Sequence, residues 1–363
     1  MKKKSPKNNM SDDVVKDIEK LKKNDLINSY LGNKGYTIYK VSLNTNIINF
    51  IKKELTVKPF TNNTLIEPNS FPIYQESEKK IYVPRFWGIE VFGYPKLIKI
   101  EKGKDIHIKF KGLLRTKPVN QVEIIKTYLK HIDFDNNLHN NAASSALIDL
   151  KCGGGKTVLG LYLSSIIKKK TIIFVQKTFL KNQWIERIHE FLPDAKVGSI
   201  QGQIIDIENK DIVIAMVQSI SMKSYPESLF SEFGFSIFDE VHHMSSEVFS
   251  NCLKKCNTLY ALGLSGTMER KDGLTHVFKM YLGDICYKSK ENNEENNVLV
   301  KAIDYHVIDD DEFIETERDY RGNIKYTTMI SKIAKYDFRS DFIFNVIKNE
   351  LKINNDQQII LLS

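Results

Sequence analysis

The stretch that decides the fold is ALIDLKCGGGKT, residues 146–157. Its apolar first part, 146–150, predicts a buried strand, and three glycines, a lysine and a threonine come soon after it. The next stretch, VLGLYLSSIIKKK at 158–170, has the pattern of a helix that ends in a lysine cluster. A strand, a glycine loop, Gly-Lys-Thr and a helix in this order are the arrangement of a phosphate-binding P-loop.

The residue types of the loop suit a nucleoside triphosphate and its metal. Glycines let backbone N–H groups turn towards phosphate without a Cβ in the way, and the helix presents its positive amino-terminal end to the same anion. We expect Lys156 to reach the β- and γ-phosphates and the Thr157 hydroxyl to bind Mg2+. The predicted nucleotide contacts run along the loop as Leu150, Lys151, Cys152, Gly153, Gly154, Gly155, Lys156 and Thr157.

One position departs from the general P-loop pattern. Leu150 stands where that pattern begins with glycine. A chance Gly-Lys-Thr in a glycine-rich turn is therefore the competing interpretation. The strand pattern before the loop and the helix pattern after it both favour the P-loop.

Composition sets wide limits on the class of protein. The 363 residues carry a net charge of +8 with a sequence pI near 9.0, which permits a polyanionic partner. The four cysteines form no CxxC pair, which favours a reducing, intracellular compartment over a disulfide framework or a zinc site. No apolar run reaches the roughly 18 residues of a membrane span, so we expect no membrane partner.

The chain predicts several domains. From residue 116 short apolar strands alternate with helices, which predicts an α/β domain with a parallel sheet covered on both faces. We expect a basic flexible tail, a small mixed α/β domain, this P-loop domain, a linker and a final segment, with boundaries at 1–33, 34–115, 116–285, 286–340 and 341–363.

The small domain interleaves aromatic and basic residues. Tyr82, Arg85, Phe86, Trp87 and Tyr94 could stack bases and hold phosphates, although most of the rings suit the core of a small sheet better. Among them Arg85 is the predicted exposed contact with nucleic acid. The alternation at 98–112 predicts two strands around a turn at 103–104.

A second motif, FSIFDEVHH at 235–243, carries two adjacent carboxylates. An apolar strand that ends in Asp239 places this side chain at the carboxyl edge of the sheet, where it would hold Mg2+ opposite Thr157. Glu240 is the candidate to position or deprotonate an attacking water. The alternative is an acidic pair on the surface without a chemical role.

Together LKCGGGKT, DEVH and LGLSGTMERKDG resemble the motifs of superfamily 2 helicases and translocases. The resemblance is strongest to the branch that contains the TFIIH-type translocase and the transcription helicases of poxviruses and related large DNA viruses. It implies a RecA-like fold and an ATP-dependent enzyme that moves on or opens nucleic acid. KPVNQVEII at 117–125 is similar to the Q motif of these enzymes, in which Gln121 would read the adenine edge.

The resemblance also implies roles for individual residues. The catalytic set is Lys156, Asp239 and Glu240, and the set that couples ATP to movement is His242, Ser265, Thr267 and Arg270. The implied contacts with the nucleic-acid backbone are Lys177, Thr178, Gln183 and Gln218. ATP and Mg2+ are the implied cofactors. DNA is the implied partner, with RNA left open, alongside the transcription machinery and, for a viral protein, a location in the host cytoplasm or the virion.

Enzymes of this kind work with two RecA-like lobes, and the second supplies arginines to the γ-phosphate. QQIILLS at 357–363 resembles the first strand of a second lobe, and the sequence holds no Gln-x-x-Gly-Arg-x-x-Arg segment. We therefore expect an incomplete second lobe whose remainder is supplied in cis or in trans, and weak ATP turnover by this chain alone.

Two other classes of function stay open from the sequence. One is a non-catalytic nucleic-acid-binding protein derived from a helicase lobe, against which the intact Lys156, Asp239 and Glu240 argue. The other is a P-loop kinase or GTPase-like switch, which the DEVH and SGT segments disfavour.

Overall fold

The computed structural model describes residues 10–60, 68–134, 143–245, 247–270, 272–289, 301–307, 310–320 and 322–353. The chain forms two compact units, Met1–Lys290 and Glu291–Ser363. The first nine residues of the predicted basic tail and the predicted closing strand at 357–363 lie outside the described residues.

The amino-terminal part of the first unit is a small α/β assembly. Its elements are α1 (Asp12–Lys23), β1 (Ser29–Gly32), β2 (Gly35–Tyr39), α2 (Thr45–Glu54), β3 (Thr56–Val57), β4 (Phe71–Pro72), β5 (Gln75–Glu76), β6 (Lys80–Val83), α3 (Arg85–Phe92) and β7 (Leu97–Ile98). Five of the strands form a sheet in the order β5-β6-β2-β1-β7, in which β7 runs parallel to β1 and the other neighbours are antiparallel.

Helix α3 was not predicted from the sequence. Trp87, Val91 and Phe92 lie on the face of this helix that is buried in the core. Gly93 ends the helix with a φ of +88°. A glycine adopts this left-handed conformation without strain, which makes it a natural helix terminator. The interpretation of most of these aromatics as core residues is confirmed for Trp87.

The predicted pair of strands at 98–112 is wrong. This stretch runs as extended chain along the larger domain, and its backbone N–H groups donate to three of that domain's carbonyls: Lys104 to Glu232 (2.8 Å), Ile106 to Lys168 (3.0 Å) and Lys111 to Phe191 (2.7 Å). Ile106 and Ile108 are buried. The alternation was real, but its apolar face packs on the larger domain, and its backbone bonds do not form within the stretch.

The larger domain holds a mixed sheet of eight strands. Its elements are α4 (Gln121–His131), β8 (Ser145–Asp149), α5 (Lys156–Ile167), β9 (Thr171–Val175), α6 (Thr178–Phe191), β10 (Val197–Gln201), β11 (Ile204–Asp206), β12 (Ile212–Met216), α7 (Val217–Met222), α8 (Ser228–Ser231), β13 (Phe235–Phe238), α9 (Glu247–Lys255), β14 (Tyr260–Ser265), α10 (Thr275–Leu282) and β15 (Ile285–Lys288). The strand order is β11-β10-β12-β9-β13-β14-β8-β15, and every neighbouring pair is parallel except β10 with β11. The predicted α/β fold with a parallel sheet is confirmed.

Apolar side chains leave the strands alternately into two cores. Phe174 and Val213 belong to one hydrophobic cluster, whereas Ile173 and Ile214 belong to the other. The first cluster also contains Tyr36 and residues of α2 and α3, so the amino-terminal sheet packs on one face of the larger sheet. Residues of α4, α5 and α6 fill the second cluster on the opposite face. Burial on both faces explains why these strands read as continuous apolar runs.

Arg85 joins the two parts of the first unit. Its side chain is 2% exposed, and its guanidinium donates to the carbonyl oxygens of Thr258 and Leu259 at 3.2 Å. Burial lowers the pKa of Arg85 to about 10, so it remains a cation at neutral pH. The prediction of an exposed nucleic-acid contact at Arg85 is therefore wrong, because its donors are used on the carbonyls that precede β14.

The described part of the second unit combines helices with irregular chain at 301–307, 315–320 and 322–325. It contains α11 (Asp311–Ile314), α12 (Tyr326–Lys335) and α13 (Asp337–Ile353). The helices α12 and α13 lie on either side of Tyr336. Within this unit the Tyr336 hydroxyl donates to Asp310 Oδ2 at 2.8 Å, and Lys301 pairs with Glu350 at 2.7 Å. In neither unit is a described helix long and apolar enough to cross a bilayer.

We expect Arg85→Met to lower the free energy of unfolding by about 2–4 kcal/mol, because two buried carbonyl groups lose a charged donor. Urea denaturation followed by circular dichroism measures the change. The matched control is Lys126→Met on the exposed face of α4, for which we expect a change within about 0.5 kcal/mol. An equally small effect at Arg85 would contradict its role as the link between the two sheets.

Candidate nucleotide-binding site

The glycine loop rests on Leu150, the residue that departs from the P-loop pattern. Leu150 is fully buried, and its N–H donates to the Ser265 carbonyl at 2.8 Å. A Cβ on Gly154 would lie 2.6 Å from the Leu150 side chain, so the leucine fills the space directly beneath the loop. The departure therefore has a packing reason, and it leaves the outer surface of the loop unchanged.

The backbone of the loop has the conformation that its glycines allow. Gly153 and Gly155 have φ angles of +79° and +87°, in the left-handed region that side chains with a Cβ rarely adopt. Gly155 precedes the first residue of α5, so the positive end of that helix meets the loop. Lys151, Cys152 and Gly153 are exposed, which leaves the cradle open to an anion from solvent.

Lys156 and Glu240 form an ion pair across the site. The Lys156 ammonium donates to Glu240 Oε1, and both side chains are mostly buried. Glu240 has a φ of +48°, which is unusual for a residue with a side chain. Its N–H donates to Asp239 Oδ1 at 3.0 Å and helps to hold this conformation. Backbone strain of this kind is common at functional sites, so it supports a functional role for Glu240.

Asp239 is held by a buried tryptophan. The indole N–H of Trp184 donates to Asp239 Oδ2 at 2.8 Å, and Trp184 is 1% exposed. Burial raises the pKa of the Asp239 carboxyl, while the indole bond acts in the opposite direction. The contact of Trp184 with this carboxylate was not predicted from the sequence. A buried indole N–H usually has an acceptor, and this rule was the available signal.

His242 connects the acidic motif to the SGT segment. Its Nδ1 lies 2.7 Å from Ser265 Oγ and 3.4 Å from Glu240 Oε2. The Ser265 hydroxyl donates to the Thr267 carbonyl at 2.9 Å and accepts from the Thr267 N–H at 3.1 Å. Because the serine proton is used in this way, His242 carries its proton on Nδ1 and donates it to Ser265. Burial, with the neighbouring His243, lowers the pKa of His242 to about 4, so the ring is neutral.

Arg270 supports the same histidine from behind. Its guanidinium donates to the His242 carbonyl and, through Nε at 2.8 Å, to Asp272. The bond from Arg270 lowers the pKa of the Asp272 carboxyl, which keeps this pair ionised. The Asp272 carbonyl accepts from the N–H of Phe60 at 3.0 Å, so the amino-terminal part also contacts this group. The structure thus brings together all four predicted coupling residues: His242, Ser265, Thr267 and Arg270.

A cleft of about 630 Å³ opens between the glycine loop and α6. This volume lies in the usual range for small-molecule sites. Its walls combine the loop and the acidic pair with residues that the sequence did not single out: Leu113, Arg115, Val158, Leu180, Arg187, Glu190 and Phe191. Four of these lie on α6 at helical spacing, and that periodicity was the signal that could have found them.

Gln121 lines this cleft. It is 3% exposed; its Oε1 accepts from the Arg115 N–H at 2.8 Å, and its Nε2 donates to the Gly154 carbonyl at 3.3 Å. A Cβ on Gly155 would lie 2.2 Å from Nε2, so the side chain packs tightly on the loop. The structure therefore places Gln121 in the cleft, with its amide engaged by the backbone.

The predicted nucleic-acid contacts fall in two places. Lys177 and Thr178 are exposed at the start of α6, and Gln218 is exposed at the start of α7, where its Nε2 donates to the Gln176 carbonyl at 2.9 Å. These residues follow the adjacent strands β9 and β12 and share one edge of the sheet. Gln183 instead lines the cleft with the glycine loop.

Comparison with known proteins agrees with the motifs. Residues 117–270 match the family model described as the res subunit of type III restriction enzymes. The chain is 31% identical to the mimivirus protein named "Putative ATP-dependent RNA helicase L396" over 75% of this chain and 51% of that one. It is 33% identical to the "DNA 3'-5' translocase XPB2" of Sulfurisphaera tokodaii over 50% of this chain and 37% of that one.

The T4 phage helicase UvsW superposes with a TM-score of 0.45 at 15% identity, over 72% of this chain and 99% of that one. At this level the fold assignment rests on the strand order of the protein itself. The sequence matches support a relationship of the chain to helicase superfamily 2. The chain spans about half the length of the mimivirus relative and less of the archaeal one, and the narrower resemblance to the TFIIH-type branch stays a prediction.

We expect the His242 ring to stay neutral from pH 5.5 to 8, because its pKa lies near 4 in the folded chain. An unfolded histidine titrates near pH 6.5, so the unfolded chain binds more protons between these two values. Stability should therefore fall as the pH falls from about 6.5 towards 4. Histidine-selective NMR measures the titration, with the chain in urea as the control. A His242 ring that titrates near pH 6.5 in the folded chain would contradict the assignment.

Proposed function

We propose that this chain carries the ATP-binding part of a helicase or translocase that moves on nucleic acid, with DNA as the substrate. One observation carries the proposal: Lys156, Thr157, Asp239 and Glu240 converge on one cleft beside the glycine loop. The relationship to helicase superfamily 2 supports the same conclusion. The names of the relatives differ between RNA and DNA, so the preference for DNA rests on the resemblance to the translocase branch.

The proposed reaction begins with a change of partner for Lys156. Without nucleotide, its ammonium and the Glu240 carboxylate neutralise each other. A triphosphate in the glycine loop would draw the ammonium to its β- and γ-phosphates, and Glu240 would become free to accept a proton from the attacking water. Binding and activation of the base are then a single event, because one ion pair must open for both.

Thr157 and Asp239 would hold Mg2+, which supplies neutralising charge to the phosphates. Both side chains line the cleft, and Trp184 fixes the direction of the Asp239 carboxylate. An oxygen-donor pair of this kind suits Mg2+, which usually keeps several of its waters and takes one or two protein ligands. A second RecA-like lobe, in cis or in trans, would add arginine to the γ-phosphate.

His242 would report the state of the γ-phosphate to the SGT segment. Its neutral ring already donates to Ser265, and Arg270 holds its carbonyl. Movement of Glu240 away from Nδ1 would change the charge that His242 faces. Lys177, Thr178 and Gln218 would contact the sugar–phosphate backbone, which makes binding insensitive to sequence and weaker at high salt. A role with transcription machinery rests on the resemblance alone.

We expect Lys156→Ala to weaken binding of a fluorescent ATP analogue about 10- to 100-fold, the effect of losing a charge-assisted bond to phosphate. Lys130→Ala on exposed α4 is the control and should leave the affinity unchanged. An affinity for nucleic acid that changes neither with ATP analogues nor in Glu240→Gln would favour the non-catalytic alternative.

Glu240→Gln should have the opposite effect on binding. The variant releases Lys156 from its carboxylate, so we expect ATP affinity to rise about two- to fivefold, the energy of a partly exposed ion pair. Hydrolysis should be lost because the base is absent. Glu186→Gln, an exposed change on α6, is the matched control. Unchanged or weaker ATP binding in Glu240→Gln would show that the ion pair does not compete with the nucleotide.

A further inference from the structure

The amino-terminal sheet has one buried face and one face of different character. Leu31, Tyr36, Ile38, Ile81 and Val83 point into the core and are at most 2% exposed. Alternate positions on the same strands carry three half-buried tyrosines, and Thr37, which lies between them, is 1% exposed. We call the outer surface formed by Tyr30, Tyr39 and Tyr82 with Lys34, Lys80 and Lys99 the tyrosine face.

Strand register places the rings of the tyrosine face in two adjacent rows. Tyr30 pairs with Thr37, which in turn pairs with Tyr82 across the next strand. Two strand spacings therefore separate Tyr30 from Tyr82, a distance of roughly 10 Å. Tyr39 lies two residues further along β2, with its ring centroid 6.0 Å from that of Tyr30. The rings thus form a spaced array on a rigid sheet.

Each ring of the tyrosine face has a lysine ammonium close above it. Lys99 lies 4.7 Å from the Tyr30 centroid, Lys80 lies 5.0 Å from that of Tyr39, and Lys34 lies 5.3 Å from that of Tyr82. Lys80 also donates to the Tyr30 hydroxyl at 3.1 Å. Cation–π contacts of this kind hold the long side chains over the rings. They are weak enough at an exposed surface for a stronger partner to replace them.

The charge of the tyrosine face is mostly uncompensated. Lys34 pairs with Glu227 at 2.7 Å, whereas Lys80 and Lys99 form no ion pair with any carboxylate that the structure describes. Hydrogen bonding to Tyr30 raises the pKa of Lys80, and bonding to Glu227 raises that of Lys34, so both remain cations. A surface of flat rings and free ammonium groups complements a polyanion that carries flat groups of its own.

We propose that the tyrosine face binds single-stranded nucleic acid, with bases stacked on the tyrosine rings and phosphates bound by Lys80 and Lys99. Aromatic side chains on a sheet surface, with basic groups around them, are how such surfaces hold unpaired strands. In a duplex the bases stack on one another and do not reach such rings, so the proposal is specific for a single strand. It concerns a second site, and it requires neither ATP nor the cleft.

This face is fixed to the larger domain at one corner. The Asn257 side chain donates to the Asn33 carbonyl at 3.2 Å in the turn between β1 and β2, and the next residue, Lys34, pairs with Glu227. Glu227 immediately precedes α8. The helix before it in the chain, α7, contains the predicted nucleic-acid contact Gln218 near its start. A strand bound to the tyrosine face is therefore held on the same compact unit as the larger sheet.

The test compares two 12-nucleotide ligands, a fluorescein-labelled oligothymidylate and its abasic counterpart, with the full chain and without nucleotide. We expect Tyr39→Leu with Tyr82→Leu to weaken oligothymidylate binding about tenfold or more, because each stacked base contributes roughly a factor of ten. Binding of the abasic ligand should change less than about twofold, since it offers phosphates alone. Equal weakening of both ligands, or of neither, overturns the stacking proposal.

The lysines are tested separately. Lys80→Gln with Lys99→Gln should weaken both ligands and reduce the slope of log affinity against log salt by about 1.4, since each single-strand phosphate contact contributes about 0.7. The control with the same change in net charge is Lys16→Gln with Lys126→Gln, both at exposed positions. An equal change of slope in the control would show that total charge, and no site, attracts the strand.

A third measurement uses the unaltered chain, so misfolding of a variant cannot explain its result. Photocrosslinking of an oligonucleotide that carries 5-iodouracil should attach it to peptides that contain Tyr39 or Tyr82. Crosslinks confined to the region of Lys177 and Gln218 overturn the proposal and leave the proposed helicase function intact. Equal competition by polyglutamate or by a blunt duplex likewise overturns it, because the surface would then recognise charge only.

Discussion

Three neighbouring parallel strands, β13, β14 and β8, end at the same edge of the larger sheet, and the candidate site depends on that adjacency. The glycine loop follows β8, the acidic pair follows β13, and the SGT segment begins at the end of β14. Carboxyl ends of parallel strands are where loops can converge on a ligand without disturbing the core. Lys156, Asp239 and Ser265 are distant in sequence and close in space for this reason alone.

The contacts at that edge form one connected set of side chains. Lys156 pairs with Glu240, and Glu240 lies beside His242, which donates to Ser265. Each member has a defined charge state: an ammonium, a carboxylate and a neutral imidazole. Replacement of the lysine's partner by phosphate therefore changes the field at the histidine directly. The path is short, and each step is a direct contact between two side chains.

Local pattern was sufficient for most of the larger domain. Apolar runs predicted the strands β8, β9, β12, β13 and β14, because parallel strands buried on both faces are continuously apolar. Helical spacing predicted α4, α5 and α6. The motifs also predicted the meeting of Thr157 with Asp239 in one cleft. These features depend on residues near in sequence or on a rule that holds for every sheet of this class.

The errors share one physical cause, which is packing between distant segments. The stretch 98–112 alternates like a strand, yet its bonds go to Glu232, Lys168 and Phe191. Arg85 is a residue type typical of surface contacts, yet its guanidinium donates to carbonyl oxygens 173 and 174 residues away in the sequence. Leu150 departs from the P-loop pattern in the sequence, but in the structure its side chain fills the space beneath Gly154. No local property of these residues reveals which surface will cover them.

The amino-terminal part is more than a neighbour of the site. The Phe60 N–H binds the Asp272 carbonyl, the Asp272 carboxylate holds Arg270, and Arg270 holds the carbonyl of His242. The same part reaches the larger sheet through Arg85 and through Asn33 beside the tyrosine face. Because these contacts belong to one rigid set, a strand held on the tyrosine face and a phosphate held in the glycine loop would act on one body. Coupling between them requires only that either ligand alters the segment from His242 to Asp272, which contains α9 and β14 and whose two ends are both fixed by named bonds.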